Sequence, residues 1–442
     1  QTTYSYDPAS QVTQILHQLT ASSTQINKAD YLYNGVGNRT SLTDRRGSQT
    51  FGYDNLDRLT SASHPLLGTP QNFAYDPVGN RTTGGTVVNA GNQLTADTNH
   101  TYQYDDNGNL TRKTLLATGN YTQYTYDVEN RLTQVQEFAA GNPTAVTTST
   151  CRYDGLGRRI EKVANGQTKR YIYDGEDILL EYDGNNLLQA RYTHGPGIDE
   201  PIAVTKGADT FFYHQDGLGS VTDLSDAAGA TAKSYSYDSY GNILESPGTL
   251  EQPYTFTGRE FDAESGLSYY RARYYDPASG RFLQQDPGSA GINSARLPRH
   301  PLDLVSQYAY AADNPIQLID SFGNEPQEPG GVGVEACKYY DDVARVNRCK
   351  YHPYAREYCE NPKQNPCIRS LASAGTISVI RQELIIEDQK ARIDRSTEAC
   401  DRPGCATAEA VTAYHKKVFA AHGIPEWCFP SWWLSARGTG DR

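Results

Sequence analysis

The chain has 442 residues, a formal net charge of -12, and 33 Tyr and 39 Gly against 11 Phe and no Met. An acidic surface repels a polyanion at long range, which argues against nucleic-acid binding by the bulk of the chain. No apolar run reaches the roughly 18 residues of a membrane-spanning helix.

The opening residues lack the basic-then-apolar pattern of an export signal. A start at Gln1, inside a repeat, predicts a piece of something longer, with any export signal in the missing part. Residues 325–442 carry equal numbers of acidic and basic side chains, so the excess acid belongs to residues 1–324. Cysteine divides the chain at the same place, with Cys151 alone in the first part and seven more beyond it.

Residues 1–253 repeat one unit: aromatic-x-Tyr-Asp, a short turn, Gly-Asn-Arg or a near equivalent, then Leu or Thr. Copies are Tyr53-Asp54 with Asp57-Arg58-Leu59, Tyr75-Asp76 with Gly79-Asn80-Arg81, and Tyr104-Asp105 with Gly108-Asn109-Leu110. Tyr126-Asp127, Tyr153-Asp154 and Tyr237-Asp238 follow the same plan, and Tyr33-Asn34 is a variant. The spacing predicts a β-hairpin per unit, with Asp and Gly-Asn supplying turn positions of positive φ. One hairpin is unstable in water, so the units must stack into a continuous, curling sheet. The repeated Tyr, Asp and Asn are then scaffold.

Residues 254–324 change texture. They run through Tyr254-Thr255-Phe256-Thr257-Gly258-Arg259-Glu260, then Tyr269-Tyr270-Arg271-Ala272-Arg273-Tyr274-Tyr275-Asp276-Pro277, and close on Asp286-Pro287 and Asp320-Ser321-Phe322-Gly323-Asn324. Asp-Pro and Asp-Ser-x-Gly are ordinary turn formers. Two carboxylates held close also share a proton and can activate a water against a peptide bond.

These motifs resemble the YD repeats and the associated core of Rhs proteins, and are similar to the shells of insecticidal Tc toxin C components and of teneurins. The resemblance covers residues 1–324 and implies a hollow β-shell, with residues 1–253 as repeats and 254–324 as a core that plugs its end. It further implies self-cleavage by Asp286 and Asp320, with the cut near Asn324-Glu325. Ser321 stands where the family usually has Pro, Asn324 where it has Leu, and residues 289–306 read as an insertion.

Residues 325–335 form a Pro/Gly linker. Beyond it, residues 336–442 are predicted to be a small, mostly α-helical, cysteine-rich domain, from the apolar spacing of Leu371, Val379, Ile380, Leu384 and Ile385 and of Val411, Tyr414, Val418 and Phe419. The stretch containing Trp427, Trp432 and Trp433 is expected to pack on these helices. Cys337, Cys349, Cys359, Cys367, Cys400, Cys405 and Cys428 are disulfide candidates for an oxidising compartment, with one left over. Zinc is the rival, held by Cys349, His352, Cys359 and Cys367 or by Cys400, Cys405, His415 and His422, although neither set has a finger spacing. Glu383 with Glu387, and His415 before Lys416-Lys417, read as solvated helix surface, and no cofactor motif is present.

The architecture implies a secreted or exported polymorphic toxin of bacterial extracellular or cell-surface location. Its shell would carry a variable C-terminal effector, with the missing N-terminal shell or a partner shell protein and an immunity protein as partners. The rival reading is a structural or adhesive surface protein whose repeats bind glycans or a cell-surface receptor and whose disulfide-stabilised tail is not catalytic.

Overall fold

The computed structural model describes residues 1–287 and 306–324. The predicted helical domain, the linker, the seven disulfide candidates and both zinc sets fall outside them. Within the described residues the protein is mainly β, with only short 3-10 turns such as Phe256–Gly258 and Ala311–Asp313. A seven-stranded sheet runs from Thr2–Tyr6 to Gln71–Asn72, and a fifteen-stranded sheet from Val87–Val88 to Thr231–Ser234. In both, each strand pairs antiparallel with the next one in the chain, as a stack of hairpins requires.

The repeat chemistry explains the stacking. At each turn the Asp (or Asn34) accepts two backbone N–H bonds through one oxygen: Asp54 Oδ1 takes Leu56 N at 2.9 Å and Arg58 N at 3.0 Å, and Asp154 Oδ1 repeats this with Leu156 and Arg158. The fourth turn residue has positive φ, as at Gly79 (85°) and Asn130 (60°), where Gly and Asn are tolerated.

The tyrosine does more than bury a ring. Its hydroxyl donates to a backbone carbonyl at the start of the preceding repeat's return strand: Tyr53 to Arg39 at 2.6 Å, Tyr126 to Leu110 at 2.8 Å, Tyr153 to Leu132 at 2.6 Å and Tyr237 to Val221 at 2.6 Å. The turn arginine reaches the other way. Arg58 donates to the Asp76 carbonyl at 3.0 Å and stacks over the Tyr75 ring at 4.7 Å. Neighbouring units are thus stitched in both directions.

Register slips by one residue immediately before many of these tyrosines, between Leu32 and Tyr33, Gly52 and Tyr53, Thr125 and Tyr126, and Arg152 and Tyr153. Such bulges bend a strand and increase its twist, and their regular recurrence curls the ribbon. It returns on itself: His17 Nε2 meets the Gln215 carbonyl at 2.9 Å, Asn27 donates to Thr222 at 2.7 Å, and Tyr75 and Tyr240 hydroxyls lie 3.1 Å apart.

Residues 254–287 and 306–324 build a module that packs on the turn ends of the hairpins. Its four-stranded sheet comprises Glu260–Asp262, Leu267–Tyr270, Arg273–Asp276 and Arg281–Phe282. The turn residues Asn38, Gly108, Gly157, Ser220 and Asn242 all hydrogen-bond to it, Tyr308 donating to the Gly108 carbonyl at 2.8 Å and Asn242 to the Pro277 carbonyl at 2.8 Å. Its own centre is aromatic: Tyr270, Tyr275, Phe282 and Tyr310 are fully buried, with the Tyr275 and Tyr310 ring centres 4.4 Å apart. A buried ion-pair network anchors it sideways, where Arg159 meets Glu260 at 2.8 Å and also pairs with Asp262.

A candidate aspartate–arginine site at the end of the module

The strand Leu267–Tyr270 turns through Arg271, at φ 58°, directly into the strand Arg273–Asp276. Tyr270 and Arg273 face each other across this tight reversal. The Arg273 side chain is 2% exposed and lies over the Phe282 ring, its guanidinium carbon 3.7 Å from the ring centre. Burial draws its pKa below the ordinary arginine value, while Asp286 and Asp320 work against that shift.

Arg273 joins the two aspartates singled out in the sequence. Its Nη2 is 3.3 Å from Asp286 Oδ2 and 3.2 Å from Asp320 Oδ2. The carboxylates differ in access, the Asp286 side chain being 22% exposed and that of Asp320 2%. The two-carboxylate expectation contained no cation; here a guanidinium offers its charge to both.

The segment after Asp320 is held by its backbone. Arg271 Nη1 donates to the Ser321 carbonyl at 2.5 Å, Ala272 N to the Phe322 carbonyl at 3.2 Å, and Arg273 Nε to the Gly323 carbonyl. Three consecutive carbonyls are therefore gripped by three consecutive residues. Asn324 N closes the loop by donating to Asp320 Oδ1 at 2.9 Å. Gly323 has φ +71°, and a Cβ there would run into the Tyr270 carbonyl, so only glycine fits without displacement.

Arg271 also ties this loop to the repeats. Its Nη2 meets Asp199 Oδ1 at 2.8 Å, and Arg259 pairs with the same carboxylate. Burial would push the Asp199 pKa up, but the two guanidinium groups outweigh it and hold it below the usual carboxylate value. Arg271 and Arg273 received no role in the sequence reading. The available signal was two arginines within an aromatic segment that was otherwise destined for burial, where charge is costly without a partner.

A ribbon of stacked Tyr-Asp hairpins that curls onto its own start, with a module seated on its turn ends, is a YD-repeat shell. The chain belongs to the teneurin YD-shell family, whose model matches residues 1–316, and it is of the Rhs/YD-repeat toxin type. It is 34% identical over 292 residues to the tRNA nuclease WapA of Bacillus subtilis, covering 62% of this chain and 12% of that protein. It is 30% identical over 337 residues to double-stranded DNA deaminase toxin A of Burkholderia cenocepacia, covering 66% of this chain and 22% of that one. The chain thus spans less than a quarter of the length of either relative. The Tc holotoxin pore of Photorhabdus luminescens shares the fold, with a TM-score of 0.57 and 20% identity over 75% of this chain and 18% of its own.

Proposed function

We propose that this chain is part of an exported polymorphic toxin, in which the YD shell and its terminal module carry the residues after 324 as an effector and free them by self-cleavage near Asn324. The observation that carries this reading is the meeting of Asp286 and Asp320 on Arg273, beside a backbone clasp that ends where the effector begins. The relatives lend support from another side. A tRNA nuclease and a DNA deaminase toxin both align with roughly two thirds of this chain, as expected if the shell is a common carrier for different cargoes.

The remainder of the shell, or a separate shell protein, completes the enclosure in this reading, and an immunity protein neutralises the effector in the producing cell. The module on the hairpin turn ends then acts as the plug. Two experiments test the proposal. Full-length protein run on a denaturing gel should resolve into shell and tail bands, and Asp320→Asn should leave one intact band. Residues 325–442 expressed alone in bacteria should arrest growth, whereas harmless accumulation of a stable tail would favour the structural or adhesive alternative.

A further inference from the structure

Six turns of the ribbon carry a large apolar or aromatic residue at the same place. In turns 34–37, 54–57, 76–79, 154–157, 216–219 and 238–241 the third residue is Val36, Leu56, Val78, Leu156, Leu218 and Tyr240. In every case its backbone N–H donates to Oδ1 of the first turn residue, at 2.8 to 3.1 Å, so the side chain leaves each turn in the same way. Two of the six are covered by the terminal module. Leu218 is 7% exposed, in one cluster with Phe256 and Tyr310, and Tyr240 is 2% exposed, in another with Ile316. Val36 and Leu56 remain 75% and 63% exposed, at a turn position that ordinarily takes a polar residue.

Val36, Leu56 and Val78 form one row. Asn38 Nδ2 donates to Asp57 Oδ1 at 2.7 Å and Arg58 Nη1 to the Asp76 carbonyl at 3.0 Å, so their three turns stand side by side. The row is held from behind, where Ser306 N donates to the Val78 carbonyl at 2.9 Å. An apolar side chain on a turn tip adds nothing to the hairpin beneath it. Three in succession, at the position the module covers elsewhere, mark a contact surface. The row is also where the acid of the ribbon is cancelled. Residues 34–39, 54–59 and 76–81 together hold three acidic and three basic side chains, against 36 acidic and 24 basic in residues 1–324.

We infer that the row of Val36, Leu56 and Val78 binds a second copy of this chain, the two rows packing on each other about a twofold axis. The charge balance selects this occupant. A basic partner would be drawn to the acidic remainder of the ribbon rather than to a neutral, apolar strip. Two copies of an acidic chain repel each other over most of their surfaces and can approach where that charge is balanced, and there each offers the other an identical apolar row. Leu218 and Tyr240 show how such a tip is used, since each sinks into the apolar side chains of the body that faces it. The inference is independent of self-cleavage, because residues 34–81 lie far from the aspartate–arginine site in the chain and none of them takes part in it.

Sedimentation velocity of the full 442-residue chain over a concentration series tests this. The wild type should pass from monomer to dimer, and the dimer should hold or tighten at high salt, because no ion pair carries it. Val36→Ser combined with Leu56→Ser should weaken the dimer about tenfold or more, the effect of truncating side chains at the centre of an interface. Both side chains face solvent in the single chain, so the urea midpoint of the monomer should not move. A wild type that stays monomeric at every concentration overturns the inference. So does a dimer that salt dissolves, or one that the double variant leaves intact. The concentration and salt series need no variant, so the inference stays open to refutation even if the double variant fails to fold.

Discussion

Asp313 offers a quantitative test of how the module is held. It sits in the 3-10 turn Ala311–Asp313 at φ 63°, is 4% exposed, and its Oδ2 has no hydrogen-bond partner among the described residues. Burial pushes its pKa up to about 7, despite the opposing fields of Arg81, Arg281 and Arg58. A carboxyl whose folded pKa is raised above the unfolded value binds its proton more tightly in the folded state. Its contribution to stability is complete below about pH 4 and is lost as the pH climbs towards 7. At about 1.4 kcal/mol per unit, a shift of this size is worth on the order of 4 kcal/mol at pH 8, and relaxation of the site will trim this to about 2–4 kcal/mol. Asn fits the same space, tolerates positive φ and cannot ionise. Asp313→Asn should therefore be more stable than the wild type at pH 8 by about that amount, with the gap closing by pH 4. Urea unfolding followed by tyrosine near-UV circular dichroism reports chiefly on the shell, because 27 of the 33 tyrosines lie in residues 1–324. Parallel pH profiles for the two proteins, or a wild type that is the more stable at pH 8, would refute the reasoning.

Other outcomes follow from the same contacts. Tyr153→Phe removes the donor to the Leu132 carbonyl and should cost about 1–2 kcal/mol in urea unfolding, with no change in strand content. Arg159→Met leaves the buried carboxylates of Glu260 and Asp262 without their shared guanidinium and should cost about 3–5 kcal/mol, partly recovered when both acids are also made amides. His214, 7% exposed and against His17, has its pKa lowered to about 3, by burial first and by His17 second. A lowered histidine favours the neutral folded state, so its contribution is complete above about pH 6.5 and declines as the pH falls towards 3. His214→Gln should flatten that part of the acid-unfolding profile.

Much of the shell was legible from the residues, because its local signals are strong and repeated. Asp followed three residues later by Gly or Asn demands a turn of one kind, and the copies along the chain implied hairpin on hairpin. What was not legible depends on register and distance. The tyrosine hydroxyl looks like a polar edge on a buried ring until the neighbouring repeat supplies the carbonyl at Leu132 or Val221. The bulge before many of the tyrosines leaves no composition mark, yet it supplies the curl that brings His17 to Gln215. At the candidate site, turn chemistry and a resemblance pointed to Asp286 and Asp320. The cation between them lies 47 residues before Asp320 in the chain, and sequence spacing says nothing about such a meeting.

The hold on residues 321–323 has a consequence for how such a chain can change. Arg271, Ala272 and Arg273 grasp oxygen atoms that every amino acid possesses. Apart from the glycine at 323 and the Phe322 ring, whose centre lies 5.3 Å from the Arg271 guanidinium carbon, the grip consults no side chain in the segment that it fixes. A chain held in this way can be joined to a different sequence by a single genetic event just past residue 324, with little new fit to evolve at the junction. The abrupt change in charge and cysteine content at that point is what such a splice would leave behind.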